Sequence, residues 1–149
     1  AKAETISQKP SFKNSFKRKR CLVISNGFYE WKRQNGNKVP YRIYLKQQKL
    51  FAFAGIWDTW KDAEEKEINS FSIITTTPNK LIEKIHNRMP VILHEGNEKN
   101  WLNEGDPEKL IELLKAYPAE EMEAYPVSTE VNSPVNNSGE LIRPAGKKL

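Results

Sequence analysis

Apolar and polar positions change period several times along this chain, and each change marks an element. In residues 9–20, Pro10 opens a stretch where Phe12 and Phe16 recur four apart, which predicts a short helix. Lys17-Arg18-Lys19-Arg20 crowds its C-terminal end, where cations suit the helix dipole. Residues 21–24 (CLVI) predict a short strand stopped by Ser-Asn-Gly, and residues 28–32 a second one. Asn35-Gly36 is a two-residue hairpin signal, because both residue types tolerate positive φ. The return strand covers 39–45, with Tyr41, Ile43 and Leu45 alternating against Arg42 and Tyr44. Residues 50–57 (LFAFAGIW) are apolar without a break, as in a strand buried on both faces. A polar loop over 61–67 leads to the β-branched strand 71–77 (FSIITTT). Pro78 then opens a helix with Thr77 as its N-cap, Leu81, Ile82 and Ile85 on its apolar side and His86 at its end. Trp101-Leu102 and residues 110–114 predict two short acidic helices, the second capped by Asp106-Pro107. Residues 123–137 read as an extended segment that closes the sheet, and the final GKKL as frayed. Hairpins, then helices, then a strand imply one α+β domain around a mainly antiparallel sheet, with no boundary inside it.

Composition narrows the setting. The chain has 149 residues with 29% charged positions, and its mean hydropathy is -0.72. No apolar run has the length of a membrane span, and no secretory signal is visible. One cysteine, Cys21, excludes an intrachain disulfide and a Cys-rich zinc site. A cytoplasmic protein is expected. The opening AKAE has neither an initiator Met nor a helix cap, so a preceding segment is expected too. Charge is uneven: residues 1–46 hold twelve Lys or Arg against two acids, Glu4 and Glu30, while the remainder holds twelve against seventeen. Such halves point to a polyanion-binding face, and phosphate backbones are the natural partner. Ordinary solvated lysines are the alternative.

Few residues offer chemistry. His86 and His94 lack further ligands at metal-binding spacing, so no metal is expected. Glu30 is an acid inside a basic segment; on a strand it shares a face with Phe28, whose apolar bulk would desolvate it. Two roles stay open for it, proton transfer and a structural salt bridge. His86 would pair with it if the fold joins them, or else would bond a free carbonyl at a helix end. Cys21, among Leu22, Val23 and Ile24, reads as a buried apolar residue. Thr75-Thr76-Thr77, at a helix start, has hydroxyls and amides for a phosphate or simply for capping. Trp31, Trp57 and Trp60 are candidates for stacking unpaired bases, or for packing. There is no Gly-rich phosphate loop and no G-x-S-x-G.

The pieces AKAET, SQKPSF, KRKRCLVISNGFYEWK, FAFAGIW, SIITTTPN, IHNRMPVIL and YPVSTEVN occur in the order found in the SOS response-associated peptidase (SRAP) family. The chain resembles that family over nearly its whole length, and GFYEW with IHNRMPVIL is very specific. The resemblance implies the SRAP fold, a twisted antiparallel barrel-like core with short peripheral helices. It implies a monomer without cofactor that binds single-stranded DNA at abasic sites, in the bacterial cytoplasm and on the nucleoid. It also implies a covalent crosslink: the thiol and α-amine of an N-terminal cysteine close on the ring-opened sugar to give a thiazolidine. The peptidase activity is removal of the family's own leading residues. Glu30 matches the family's catalytic glutamate, which moves a proton at amine and sugar, and His86 matches the histidine that serves the sugar oxygen. Lys2 matches a phosphate-touching arginine, keeping its charge without the bidentate fork. Arg88 supports the His86 loop or DNA; Thr76 and Trp31 complete the expected DNA contacts. The family's asparagine before Ala1 and its N-terminal cysteine are absent, and Cys21 matches a different family cysteine. Residues 1–149 are therefore expected to be an N-terminally incomplete SRAP domain without crosslinking activity of its own. A non-catalytic single-stranded DNA-binding module is the second reading, and a peptidase acting on other proteins the third.

Overall fold

The computed structural model describes residues 1–149. Its strands are β1 (Arg20–Ser25), β2 (Phe28–Gln34), β3 (Asn37–Leu45), β4 (Phe51–Lys61), β5 (Glu67–Ile73), β6 (Thr75–Thr76), β7 (Met89–Pro90) and β8 (Met122–Pro126). Its α-helices are α1 (Pro10–Arg18), α2 (Glu98–Asn103) and α3 (Pro107–Glu112). The fold is α+β, dominated by antiparallel sheet with short helices. Two compact units form, one from Ala1–Ile24, Phe51–Thr77 and Pro90–Tyr117, the other from Ser25–Leu50, Pro78–Met89 and Pro118–Leu149. The two larger sheets are open, ordered β1-β4-β5 and β2-β3-β8, so the barrel-like core expected from the resemblance is not a closed barrel here.

In the first unit, β4 carries the long apolar run. Ala52, Ala54 and Ile56 alternate into a core with Ile6, Phe16, Ile74, Trp101, Leu110 and Leu114. Burial ends at Ile56; Trp57 is 39% exposed, because β4 continues to Lys61 as half of a solvated hairpin with β5. Gly55 is required by close approach. A Cβ there would lie 2.8 Å from Cys21 Sγ and 3.1 Å from Val23 Cγ2. Gly55→Ala should therefore cost about 1–3 kcal/mol through overpacking, read as a lower urea midpoint with an unchanged m-value.

The basic run at the end of α1 is partly structural. Arg20 Nε donates to Trp101 O at 2.6 Å, Nη1 to Phe16 O at 2.8 Å and Lys17 O at 2.7 Å, and Nη2 to Glu104 O at 2.7 Å. One guanidinium thus serves carbonyls that the ends of α1 and α2 leave without helical partners. Lys19 Nζ pairs with Asp58 Oδ1 at 2.5 Å. Asp106 caps α3 by accepting from Glu108 N at 2.9 Å, as its position before Pro107 implied.

In the second unit, Asn35 (φ 49°) and Gly36 (φ 79°) form the tight turn, and the register follows: Gln34 opposite Asn37, Arg33 opposite Lys38, Trp31 opposite Pro40, Glu30 opposite Tyr41. β8 covers the other side of β3, from Tyr41 opposite Pro126 to Leu45 opposite Met122. Three expectations change. The helix from Pro78 to His86 does not form: Asn79 Oδ1, not Thr77, accepts from Leu81 N and Ile82 N at 3.0 Å each, and only a 3₁₀ turn over Ile82–Lys84 follows. A side-chain amide that caps locally competes with helix propagation. The extended run from 123 stops at Pro126, and Ser128 caps a 3₁₀ turn over Thr129–Asn132 by accepting from Glu130 N. The GKKL end is held, not frayed: Leu149 N donates to Ala124 O at 2.9 Å, and Lys148 Nζ pairs with Glu123 Oε2 at 2.5 Å.

Candidate active site and nucleic-acid interface

β2 is the outer strand of its sheet, and a cavity of about 430 Å³ lies against it, lined by Glu30, Trp31, Arg33, Lys38, His86 and Asn132. All six belong to the second unit. Strand alternation puts Trp31 and Arg33 on one side of β2 and Glu30 on the other.

Glu30 is half-buried, and its carboxylate accepts a hydrogen bond from the Trp31 backbone N–H. Burial pushes its carboxyl above the ordinary 4.5, against the smaller opposing pull of His86 and of that N–H. Desolvation is therefore the largest effect on Glu30.

His86 is exposed just beyond the 3₁₀ turn. Its Nδ1 lies 3.2 Å from both the backbone N and the backbone O of Arg88. In the neutral ring Nδ1 accepts from Arg88 N–H, which places the proton on Nε2. In the charged ring Nδ1 donates to Arg88 O. The Arg88 backbone thus orients the imidazole in either state.

Trp31 Nε1 donates to Asn132 Oδ1 at 2.6 Å, so the indole is tethered rather than loose. Asn132, Arg33 and Lys38 were not singled out in the sequence. The Asn35-Gly36 turn was a sufficient signal for the Arg33–Lys38 pairing, because a two-residue loop sets the register. Asn132 ends the YPVSTEVN piece, but nothing in the sequence pointed to its partner, which is remote along the chain.

The remaining candidates lie in the first unit. Lys2 is exposed and forms a parallel bridge with Thr75, while Thr76 is 6% exposed. No α-helix begins after the threonine run, so a phosphate site built on a helix N-terminus is not formed there. Trp57 and Trp60 are 39% and 53% exposed on β4. Cys21 is half-buried and burial pushes its thiol up, which suppresses the nucleophilic thiolate. His94 stacks on Tyr117 with ring centroids 4.7 Å apart, a packing role. No group of three or more His, Cys, Asp or Glu is placed to hold a metal ion. No helix is long and apolar enough to cross a membrane.

The scaffold is α+β, and one cavity gathers a carboxylate, an imidazole, two cations and an indole. The chain belongs to the SOS response associated peptidase (SRAP) family, whose model matches residues 1–134. It is 53% identical over 145 residues to the Bacillus subtilis (strain 168) abasic site processing protein YoqW, covering 95% of this chain and 65% of that protein. It is 37% identical over 162 residues to the abasic site processing protein HMCES of Xenopus tropicalis, covering 95% of this chain and 48% of that one. A crystal structure of a Bacteroides thetaiotaomicron protein superposes with a TM-score of 0.90 at 38% identity, covering 97% of this chain and 65% of that chain. The chain thus spans just under two thirds of the length of YoqW and about half that of HMCES.

Proposed function

We propose that this chain binds single-stranded DNA and carries the proton-transfer half of abasic-site processing. The observation that carries the reading is the joining of Glu30 and His86, remote in sequence, in one cavity with Trp31, Arg33 and Lys38. An abasic sugar in its open form presents an aldehyde. An N-terminal cysteine closes on it by its α-amine and thiol, forming C–N and C–S bonds and releasing one water, to give a thiazolidine. Glu30 takes the proton that the amine loses as it attacks, and His86 serves the sugar ring oxygen during opening. The same pair would serve hydrolysis of a leading peptide, the activity in the family's name. Arg88 adds a phosphate contact in this reading and Trp31 stacks a base, while Lys2 and Thr76 are separate candidate DNA contacts within the first unit.

Cys21 does not fit the nucleophile. It is internal, has no free α-amine, and its thiol is held in the unreactive form. The nucleophile of this proposal is therefore a residue outside residues 1–149. The exposed cations and the tethered Trp31 beside the cavity also suit a second reading, a single-stranded DNA-binding module without covalent chemistry.

The test uses the complete gene product and a single-stranded oligonucleotide with one abasic site, run on a denaturing gel. A denaturation-resistant adduct is expected, with Cys21→Ala giving the same yield within about twofold. Binding without an adduct would favour the second reading. Loss of the adduct in Cys21→Ala would overturn the proposed mechanism.

A further inference from the structure

Arg33 and Lys38 face each other across the β2–β3 hairpin, and the turn leaves them no choice of register. Both are exposed, and neither is engaged by a carboxylate of the chain. Like charges directly opposite on a hairpin destabilise it. Their nearest acidic neighbour in the cavity, Glu30, lies on the other side of β2 and is occupied by the Trp31 N–H. An anion lying between the two cations would remove the repulsion.

The next pair along the same face is Trp31 opposite Pro40. Two residues along a strand span about 7 Å, within reach of one nucleotide. The indole there is tethered by Asn132, so a flat apolar surface is presented beside the cations in a fixed pose. A second cavity, of about 410 Å³, shares Trp31, Arg33 and His86 with the first, so the groove continues past the indole.

We propose that Arg33 and Lys38 form a clamp for one phosphodiester of a single strand, the adjoining base stacking on the Asn132-tethered Trp31. This rests on the single-stranded DNA reading above and assigns it a nucleotide subsite. A guanidinium offers a planar fork and an ammonium a point charge, and together they approach one phosphate from two strands. Stacking on an indole is tolerant of sequence, so the subsite holds any base.

Binding of an undamaged, fluorescent single-stranded oligonucleotide to the complete gene product across a salt series is the experiment. Without an abasic site the binding is reversible. On a single strand each neutralised phosphate contributes a slope of about 0.7 in log K against log salt. Arg33→Gln with Lys38→Gln should lower the slope by about 0.7, while each single variant should weaken binding but keep most of the slope, because the remaining cation still neutralises the one phosphate. Asn132→Ala should weaken binding several-fold with the slope unchanged. Lys99→Gln with Lys115→Gln, an equal loss of exposed charge in the first unit, should leave the slope unaltered. An unchanged slope in the Arg33/Lys38 variant, with wild-type circular dichroism, overturns the clamp, as does an equal fall in the Lys99/Lys115 control. A wild-type protein that fails to bind even at low salt overturns the DNA reading itself, and the clamp with it.

Discussion

Glu30→Gln should lower the rate of adduct formation at abasic sites by about a hundredfold or more, the scale of general acid–base catalysis, while slightly raising the melting temperature at pH 7. The two effects share one cause. Burial holds the Glu30 carboxyl above its ordinary 4.5 in the folded chain. The folded state therefore binds this proton more tightly than the unfolded chain does, and stability from this group is full below pH 4.5 and is lost as pH rises through the folded value. At neutral pH the wild type keeps a partly desolvated charge that glutamine does not have. The amide oxygen can still accept from Trp31 N–H, so the local geometry survives. The stability gain of the variant should fade as the pH is lowered below 4.5, where both side chains are neutral. The salt-bridge role left open by the sequence predicts the opposite sign: glutamine would then destabilise the protein at pH 7. Adduct rates unaffected by the substitution, in a protein that forms the adduct, would remove Glu30 from the mechanism.

Arg20→Ala should destabilise the first unit by about 2–3 kcal/mol, from several charge-assisted hydrogen bonds partly replaced by water. For a chain of this size that is a fall in Tm of about 5–10 °C. Five carbonyls, those of Phe16, Lys17, Trp101, Leu102 and Glu104, lose this donor together. Arg20→Lys should recover little, because an ammonium on a flexible stem cannot reach carbonyls on two helix ends at once. Thermal and urea unfolding read both variants. If lysine proved as good as arginine, the charge and not the fork would matter. If the alanine variant kept its Tm but lost DNA affinity, Arg20 would belong to the nucleic-acid surface, as a reading of the basic run by charge alone has it.

The Arg20 case shows where sequence reasoning by charge ends. Lys17-Arg18-Lys19-Arg20 looks like a uniform polyanion grip, yet Arg20 serves helix carbonyls and Lys19 pairs with Asp58. Whether a cation is available depends on which carbonyls and carboxylates the fold carries to it, and those come from residues eighty positions away or from another strand. The Pro78–His86 segment failed for a more local reason: its capping group is Asn79, inside the expected helix, and the turn it organises is too short to propagate.

Periodicity and turn chemistry alone determined much of this protein. The α1 helix, the β2–β3 hairpin with its Asn35-Gly36 turn, the buried half of β4 and the Asp106 cap follow from contacts within a few residues, which local spacing encodes. The motifs GFYEW and IHNRMPVIL were enough to place the chain in its family. Only the tertiary structure decided that Glu30 and His86 line one cavity, that Asn132 holds Trp31, that Arg20 is structural and that Cys21 is shielded. These are long-range facts. Burial, which sets the carboxyl's proton affinity, and hydrogen bonds between remote segments arise when the chain closes on itself, and no local pattern of residues records them.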